Sequence, residues 1–463
     1  MSAVLLTAAM VAEATGARLV AGAPDRVFDD VSTDSRAIAA GALFIALRGE
    51  RFDGHAFVAD AIRRGAAGVL GDGPVDVAGG AVVLHVSDTL AALQSLARAI
   101  RRASGARVVA ITGSAGKTTT KEVTADVLAT RYRVLRNRGN LNNHIGLPLS
   151  LIELRRGADV AVVELGMNHA GEIRTLVGIA EPDVRVWINV GDAHLGHFAS
   201  RDALAAAKAE ILEQAGPETL LVANADDVRV MTRARTFAGR TVTFGEAPAA
   251  DVRASAVVDR GFDGTSAEVA TRAGVLHLTI ALPGRAQVHN VLAAVAVAIE
   301  LDVEPAAIET AVAAIEPVGR RGVVTTLASG TRLVDDSYNA SPSALGARLQ
   351  ALAATDTRGR RIAVIGEMLE LGEASYVLHA SCGRAAAEAG VDELVVIGGP
   401  VADGLVDGAR AAGLPAARIH RFADSASAAA VVASIVGADD LVLVKGSRGT
   451  RTDLVSERLR EVA

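Results

Sequence analysis

The stretch VVAITGSAGKTTTKE, Val108 to Glu122, decides the fold, because an apolar strand pattern runs into a glycine-containing turn and then into a polar helix start. In such a turn, backbone N–H groups and the helix N-terminus bind phosphate, a lysine reaches the terminal phosphates, and a threonine hydroxyl binds Mg²⁺. The usual spacing has a glycine six positions before the lysine, where this chain has Ile111, so we predict a shorter loop that opens at Gly113. The predicted nucleotide-binding residues are Gly113, Ser114, Ala115, Gly116, Lys117, Thr118 and Thr119. A glycine-rich helix start that binds no ligand is the alternative.

Apolar runs of strand length alternate with helical segments around this loop and far beyond it. They are RVVAIT, DVAVVEL, VRVWINV, ETLLVAN and TVTF, followed later in the chain by TRLVDDS, RRIAVIGE, DELVVIGG and DLVLVKG. Near-continuous apolar runs between helices predict mainly parallel sheets that are covered by helices on both faces. A chain of 463 residues also exceeds the roughly 250 to 300 residues that one core serves. We therefore predict an α/β protein with a small N-terminal α/β domain (1–86), a central P-loop-type domain (87–318) and a doubly wound C-terminal domain (319–463).

Composition limits the class of partner. The formal net charge is −6, and the cationic residues are scattered in ones and twos, which gives no basic surface for nucleic acid and no polybasic membrane patch. The one cysteine, Cys382, cannot form an internal disulfide. The apolar N-terminus lacks the basic region of a signal peptide, and no apolar stretch reaches the ~20 residues that span a bilayer. We expect a cytoplasmic monomer that acts on small molecules, with no nucleic acid and no membrane span.

Two further blocks predict a metal site beside the phosphate loop. VVELGMNHAGEI places Glu164 at the end of one strand, and WINVGDAHLGHF places His194 just beyond the end of another. The carboxyl ends of parallel strands meet at one edge of a sheet. A carboxylate and an imidazole there could hold a cation between the phosphates and a second substrate. Taken singly, Glu164 could cap a helix and His194 could be an ordinary loop histidine.

Asparagine-rich and helix-start segments give candidate contacts for nucleotide or substrate. NRGNLNNHIGLPLSLI carries four asparagines, among them Asn140 and Asn143, which could bind phosphate or substrate or could simply shape a loop. GRAQVHNVLAAVAVAIE puts Asn290 near the start of an alanine-rich helix. There it could contact adenine, or it could cap the helix.

The boundary of the last domain carries charged candidates as well. Arg320, in EPVGRRG, could reach nucleotide phosphates from a hinge or could be a solvated linker residue. DDSYNASPSAL ends a strand with Asp336 and continues with Tyr338 and Asn339. Strand-end acids there could face the central domain, whereas an Asx turn followed by a helix cap is the alternative.

Lysine is rare in this chain. Only Lys117, Lys121, Lys208 and Lys445 occur among the 47 cationic residues, and the others are arginine. Where bulk positive charge suffices the chain nearly always uses arginine, so we predict that the lysines mark positions that require a compact or chemically modifiable amine. Chance survival of any one of them is the alternative, and for Lys208 a surface lysine that pairs along its helix.

In their order along the chain these blocks resemble the Mur ligase family. The N-terminal VSTDSRAIAAGALFIALRGERFDGHAF is similar to the uridine nucleotide domain of that family, and the later blocks TGSAGKTTTKE, GNLNNHIGLPLSLI, ELGMNHAGEI, DDSYNASPSAL and VKGSRGTRTD resemble the members that add a dipeptide. The resemblance implies an ATP-dependent and Mg²⁺-dependent ligase of peptidoglycan precursor synthesis. Its substrates would be UDP-N-acetylmuramoyl-tripeptide and D-alanyl-D-alanine, joined through an acyl phosphate.

The resemblance also implies roles for individual residues. Lys117 would contact the transferred phosphate, and Thr118, Glu164 and His194 would hold Mg²⁺ together with Lys208 after its conversion to a carbamate by CO₂. Asn290 would contact adenine, while Arg320, Asp336 and Lys445 would close onto the nucleotide from the last domain. The implied substrate contacts are Ser35, Arg36, Arg48, Asp53, His55, Asn140, Asn143, Tyr338, Asn339 and Lys445.

The sequence is also compatible with three other functions. A nucleotide switch or motor ATPase would end the metal-binding strand with Asp, where this chain has Glu164. A non-catalytic binding module would not need so many phosphate-type and metal-type residues. Within the family, the ligase that adds the third residue, diaminopimelate or lysine, is the alternative.

Overall fold

The computed structural model describes residues 3–49, 52–74, 80–192 and 195–462. Its strands form three groups of mainly parallel sheet with helices on both faces, which confirms the predicted α/β class. The helices are α1 (Ala8–Thr15), α2 (Val58–Arg63), α3 (Thr89–Ser104), α4 (Lys117–Ala129), α5 (Gly146–Ile152), α6 (Glu172–Ala180), α7 (Arg201–Lys208), α8 (Val228–Ala234), α9 (Gln287–Glu300), α10 (Pro305–Ala313), α11 (Pro342–Ala354), α12 (Ser375–Glu388), α13 (Asp403–Ala411), α14 (Ser425–Ile435) and α15 (Asp453–Val462). No helix within the described ranges is long and apolar enough to cross a membrane.

Contacts divide the chain into two compact units. The first comprises Met1–Ile111, Arg131–Arg185 and Glu210–Leu220. The second comprises Thr112–Thr130, Val186–Ala209 and Leu221–Ala463. The phosphate loop, the end of α7 and the whole C-terminal sheet therefore belong to the second unit.

The first unit contains a five-stranded sheet and a parallel set of three strands. The five strands are β1 (Arg18–Ala21), β2 (Val31–Ser32), β3 (Leu43–Ile45), β4 (Gly68–Gly71) and β5 (Val82–His85). Their order is β1-β5-β4-β3-β2, and all pairs are parallel except β1 with β5. The parallel set has β8 (Val160–Glu164) between β6 (Arg107–Thr112) and β7 (Val134–Arg136). Helix α3, which follows the five-stranded sheet, is capped by Asp88, whose carboxylate accepts from the amides of Leu90 and Ala91.

The second unit contains, besides the phosphate loop, a set of strands with both parallel and antiparallel pairs. They are β9 (Val184–Trp187) and β10 (Leu220–Asn224), which both start in the first unit, and β11 (Arg240–Gly245), β12 (Val252–Asp259), β13 (Thr265–Thr271) and β14 (Gly274–Ile280), in the order β14-β13-β12-β11-β10-β9. The last three pair antiparallel with one another. The sequence analysis did not identify this antiparallel extension, although the alternating exposure of β14 is the usual sign of a strand with one solvated face.

The C-terminal sheet is doubly wound, as predicted. It contains β15 (Val323–Thr326), β16 (Arg332–Asp336), β17 (Arg361–Gly366), β18 (Glu393–Ile397), β19 (Ile419–Phe422) and β20 (Leu441–Lys445), in the order β15-β16-β20-β17-β18-β19. Only β15 is antiparallel. Successive residues of β17 enter different cores: Ile362 and Val364 pack with α14 and α15, whereas Ala363 and Ile365 pack with α11, α12 and α13. This alternation buries both faces and places the ends of β16 and β20, at Asp336 and Lys445, at one edge.

Candidate active site

The phosphate loop joins the end of β6 to the start of α4. Gly116, which precedes α4, has a φ of 85°, a left-handed conformation that favours glycine. A Cβ atom at this position would lie 2.2 Å from Oδ1 of Asn290. Both observations require glycine at the helix start, where the sequence predicts a phosphate site.

Asn189 braces the loop from the segment that follows β9. Its Oδ1 accepts hydrogen bonds from the backbone amides of Ser114, at 2.9 Å, and Ala115, at 3.0 Å. Its Nδ2 donates to the carbonyl of Ala115 at 3.0 Å. Asn189 is not among the residues predicted from the sequence, although a polar side chain just after a buried strand at this edge is the signal that could have identified it.

Two lysines converge on one carbonyl oxygen of the loop. Nζ of Lys117 lies 2.9 Å from the oxygen of Gly113, and Nζ of Lys208 lies 3.1 Å from the same oxygen. Lys208 is the last residue of α7, and it is 1% exposed. Two like charges that share a neutral acceptor repel each other, most strongly where water is excluded. A bound anion between the lysines, or conversion of one amine to an anionic group, would remove this repulsion.

Asn290 lies inside α9 and does not cap it, so the capping alternative is wrong. The N-cap residue is Ala286. Oδ1 of Asn290 accepts from the hydroxyl of Thr120 at 3.2 Å, and Nδ2 donates to Oε1 of Gln287 at 2.7 Å. The amide thus ties α9 to the phosphate-loop helix.

Glu164 ends β8 in the first unit, and two asparagines of the predicted block hold it. Nδ2 of Asn142 donates to its carboxylate at 2.8 Å, and Oδ1 of Asn137 accepts from its backbone amide at 3.1 Å. The carboxylate is only 4% exposed. Asn137 and Asn142 were not among the predicted site residues, although they lie in the block that the sequence singles out.

The other site residues predicted in this part of the chain are Asn140, Asn143 and His194. Oδ1 of Asn143 accepts from the amides of Ile145 and Gly146 at the start of α5, which is the loop-shaping alternative for this residue. Asn140 contributes its carbonyl oxygen to a tight turn with the amide of Asn142. His194 lies outside the described residues. Within the described part of the chain, no three His, Cys, Asp or Glu residues form a ready-made metal cluster.

Of the five substrate contacts implied in the N-terminal uridine nucleotide domain, three (Arg48, Asp53 and His55) form one polar network in the first unit. Arg48 pairs with Asp53 at 3.1 Å and with Asp72 at 2.9 Å. Nε2 of His55 accepts from the amide of Asp72, so Nδ1 carries the proton and donates to Asp53 at 2.6 Å. Hydrogen bonds from the backbone and ring of His55 hold the pKa of Asp53 below its usual value. The remaining two belong to another turn, where Ser35 is buried and the exposed Arg36 pairs with Asp34.

Asp336 and Lys445 form a buried ion pair at the edge of the C-terminal sheet. Nζ of Lys445 lies 2.7 Å from Oδ2 of Asp336 and 2.8 Å from the carbonyl of Asn339. Nε of Arg348, which the sequence analysis also overlooked, lies 2.9 Å from the same carboxylate oxygen. Burial tends to raise the pKa of Asp336, but the charges of Arg348 and Lys445 outweigh it, and the pKa lies below its ordinary value.

Arg320 and Tyr338 meet through the backbone. The amide of Tyr338 donates to the carbonyl of Arg320 at 3.1 Å. The Arg320 guanidinium pairs with Asp453 at 2.6 Å and with Glu457 at 2.7 Å on α15. The neighbouring Arg321 stacks over the ring of Tyr338, 3.9 Å from its centre. Arg320 thus pairs with the C-terminal helix while its side chain stays half-exposed.

Three family models match successive parts of the chain. The model of the Mur ligase family catalytic domain matches residues 28–115, that of the Mur ligase middle domain matches 111–298, and that of the Mur ligase glutamate ligase domain matches 319–448.

Individual relatives match almost end to end. A Bacillus subtilis protein named UDP-N-acetylmuramoyl-tripeptide--D-alanyl-D-alanine ligase is 33% identical over 94% of either chain. A crystal structure of MurF from Acinetobacter baumannii superposes with a TM-score of 0.90 and 31% identity over 100% of both chains. The MurF ligase of Thermotoga maritima, solved in complex with ADP, gives a TM-score of 0.82 and 29% identity over 94% of this chain and 97% of that one.

Proposed function

The chain belongs to the Mur ligase family, and from that membership we propose that it joins D-alanyl-D-alanine to UDP-N-acetylmuramoyl-tripeptide while ATP is converted to ADP and phosphate. The observation that carries this proposal is a phosphate loop with two converging lysines, in a chain that matches a ligase of this specificity over 94% of its length. The reaction belongs to the synthesis of peptidoglycan precursors.

The chemistry proceeds in two displacements. The terminal carboxylate of the tripeptide attacks the γ-phosphorus of ATP, the bond from that phosphorus to ADP breaks, and an acyl phosphate forms. The unprotonated amine of D-alanyl-D-alanine then attacks the acyl carbon, phosphate leaves with the bonding electrons, and the new amide nitrogen loses a proton. The protein must bring two anions together for the first step and exclude water from the acyl phosphate until the second.

The described residues fit the phosphates of ATP. Among the residues that the structure describes, the buried hydroxyl of Ser114 has no hydrogen-bond partner, and a phosphate oxygen would satisfy it. Lys117 and the start of α4 supply positive charge at the same loop. We propose Gly113 to Thr119 as the phosphate site, with Asn290 beside the adenine.

We propose that Mg²⁺ is held by Thr118, Glu164, His194 and a carbamate on Lys208. The buried carboxylate of Glu164, held in place by Asn142, is a hard oxygen donor of the kind that Mg²⁺ prefers. When bound by these residues, Mg²⁺ would neutralise phosphate charge that otherwise repels the attacking carboxylate. Carbamylation, in which the unprotonated Lys208 amine adds to the carbon of CO₂ and releases a proton, would replace the repulsion from the Lys117 ammonium with attraction.

The remaining assignments follow the order of the chain. We propose residues 1–86 as the uridine nucleotide domain, with Arg48, Asp53 and His55 as one polar cluster for the nucleotide and Ser35 and Arg36 as further contacts. We propose 87–318 as the ATP domain and 319–463 as the domain that brings Arg320, Asp336 and Lys445 to the nucleotide. Tyr338, Asn339, Asn140 and Asn143 stay candidate substrate contacts. A reaction that consumes ATP needs a compartment that supplies it, so the cytoplasm is the proposed location, and a monomer the proposed state.

Phosphate release in the presence of each substrate alone and of both together tests the proposed function. We expect rapid release only when UDP-N-acetylmuramoyl-tripeptide, D-alanyl-D-alanine and ATP are all present. The matched control replaces them with the UDP-linked dipeptide and either diaminopimelate or lysine, the substrates of the third-residue ligase. Comparable turnover in that control would contradict the proposed specificity.

A further inference from the structure

A buried histidine of α12 holds the loop that follows β17. His379 is fully buried, and its Nε2 accepts a hydrogen bond from the amide of Met368 at 2.9 Å. Its Nδ1 therefore carries the proton and donates to the carbonyl of Ser375, one turn earlier on α12, at 2.7 Å. Burial lowers the pKa of His379, since removal from water disfavours the charged form. The imidazole thus stays neutral and keeps its acceptor nitrogen.

The loop held in this way, residues 367–372, has an unfavourable backbone. Glu370 has a φ of 64°, a left-handed conformation that residues other than glycine rarely adopt. Such a conformation persists only where the surroundings fix the backbone. The two residues before Glu370 are fixed by side chains, Met368 by His379 and Leu369 by Oγ of Ser447, which accepts from its amide at 2.9 Å. The acceptor nitrogen of His379 therefore helps to set the direction of the Glu370 carbonyl.

The Glu370 carbonyl supports the segment that follows β9. It accepts from the amide of Gly196 at 2.9 Å, and a Cβ atom on Gly196 would lie only 2.7 Å from this oxygen. The same segment begins with Asn189, whose side chain accepts from the amides of Ser114 and Ala115 in the phosphate loop. All of these residues belong to the second unit. The segment therefore braces the phosphate loop at its start and rests on Glu370 further along.

We propose that His379 is a positioning residue for the ligase reaction, because its unprotonated Nε2 fixes the 367–372 loop and, through the Glu370 carbonyl, the turn that carries Gly196. The proposal rests on the proposed function. Without the acceptor, the buried amide of Met368 loses its partner, the loop relaxes, and the Glu370 carbonyl no longer supports Gly196. The phosphate loop keeps its own contacts with Asn189. ATP therefore still binds, while the steps that need aligned substrates slow.

Two substitutions separate the acceptor of His379 from its donor. His379→Gln places a side-chain oxygen about where Nε2 lies, and it keeps an acceptor for the amide of Met368. His379→Asn is shorter, so its amide replaces Nδ1 and keeps the bond to Ser375 but loses the acceptor. Ala386→Gly is the matched control, because it weakens the same helix at a buried position whose methyl group forms no hydrogen bond. Each variant is assayed for kcat, for the KM of ATP and, by mass spectrometry, for hydrogen–deuterium exchange of the 367–372 amides.

We expect kcat of His379→Asn to fall at least about tenfold, with the KM of ATP within about twofold, as for loss of a group that orients others. Exchange of the loop amides should become about tenfold faster, because a buried amide has lost its acceptor. His379→Gln, which retains the acceptor, should stay within about threefold of the wild type in both measurements. Ala386→Gly should unfold at a lower temperature and leave both kcat and loop exchange unchanged.

Three results in the His379 variants would overturn the proposal. One is faster exchange with an unchanged kcat in His379→Asn, since the hydrogen bond would then serve packing alone. Another is unchanged loop exchange in that variant, and the third is an equal loss of kcat in His379→Gln and His379→Asn, since size rather than the acceptor would then matter. If His379→Asn does not fold, as judged by circular dichroism, His379→Leu, which fills the space without an acceptor, takes its place. A wild type without ligase activity would contradict the proposed function and this role with it, whereas the three results contradict the role alone.

Discussion

The amine nitrogen of Lys208 lies 3.1 Å from the carbonyl oxygen of Gly113, in a site where the lysine side chain is almost wholly buried. Arginine would keep the charge but has no primary amine that can react with CO₂, and its planar guanidinium is larger. We therefore expect Lys208→Arg to lose nearly all ligase activity, at least about 100-fold in kcat, while it remains folded, as judged by circular dichroism. Near-normal turnover of this variant would contradict the carbamate.

Chemical rescue gives a second test of the same position. Lys208→Ala leaves a space at the loop that a short carboxylic acid can enter, where its carboxylate replaces the carbamate. We expect added acetate or propionate to restore part of the activity of Lys208→Ala. The same acids should not raise the activity of the wild type or of Lys117→Ala, and an equal gain in all three proteins would mean that the effect is not local.

The sequence predicts this loop well but does not reveal what holds it. The strand, the glycines and Lys117 are neighbours in the chain, so a local pattern identifies them together. Asn189, by contrast, acts on partners far away in the chain, and an isolated Asn carries no local sign of such a partner. Asp336 is predictable only in part. Its place at the end of a strand follows from the local sequence, whereas its pairing with Lys445 depends on the strand order, which places β20 beside β16.

The buried pair of Asp336 and Lys445 makes a prediction about stability. Asp336→Asn would leave Lys445 and Arg348 buried without their counter-charge, and breaking a buried ion pair from one side costs about 3–5 kcal/mol. We expect a lower free energy of unfolding by about that amount, measured by calorimetry or urea titration. Glu457→Gln, at a half-exposed pair with Arg320, should change it by no more than about 1 kcal/mol. An equal decrease in the free energy of unfolding for the two variants would contradict a larger contribution from the buried pair.

The same pair predicts a pH dependence. Because the pKa of Asp336 is lowered in the folded protein, its contribution to stability is complete above the unfolded-state value of about 4 and is lost as the pH falls through the lowered, folded-state value. The stability difference between the wild type and Asp336→Asn should therefore be constant near neutral pH and shrink below about pH 4. A stability difference that grew on acidification would contradict a lowered pKa of Asp336 in the folded protein.

Gly116 should not tolerate alanine. Its φ of 85° is strained for alanine, at about 1–3 kcal/mol, and the added Cβ would lie 2.2 Å from Oδ1 of Asn290. We expect Gly116→Ala to raise the KM of ATP at least about tenfold, because the loop must move to relieve the contact. Gly16→Ala is the matched control, since Gly16 also has a positive φ of 69° but has no atom within 4 Å of the added Cβ. It should cost some stability and leave the KM of ATP unchanged.

The contact between Gly196 and Glu370 joins the turn after β9 to the C-terminal sheet. The amide of Gly196 donates to the carbonyl of Glu370 at 2.9 Å, and a Cβ on Gly196 would lie 2.7 Å from that oxygen. Glu370 holds an unfavourable φ of 64°, which persists only where neighbours fix the backbone. The amide of Met368, for example, donates to the buried His379 at 2.9 Å. The C-terminal side of the contact is therefore rigid, and any adjustment must come from the turn that carries Gly196.

We therefore expect Gly196→Ala to displace this turn and to lower kcat by about tenfold or more, while the KM of ATP, which depends on the phosphate loop, changes little. Gly216→Ala is the control, because the added Cβ there has no atom within 4 Å. Steady-state kinetics of both variants, with thermal unfolding to exclude loss of folded protein, would measure this. A rise in the KM of ATP without a fall in kcat would mean that the contact serves nucleotide binding, and unchanged kinetics would mean that it serves only packing.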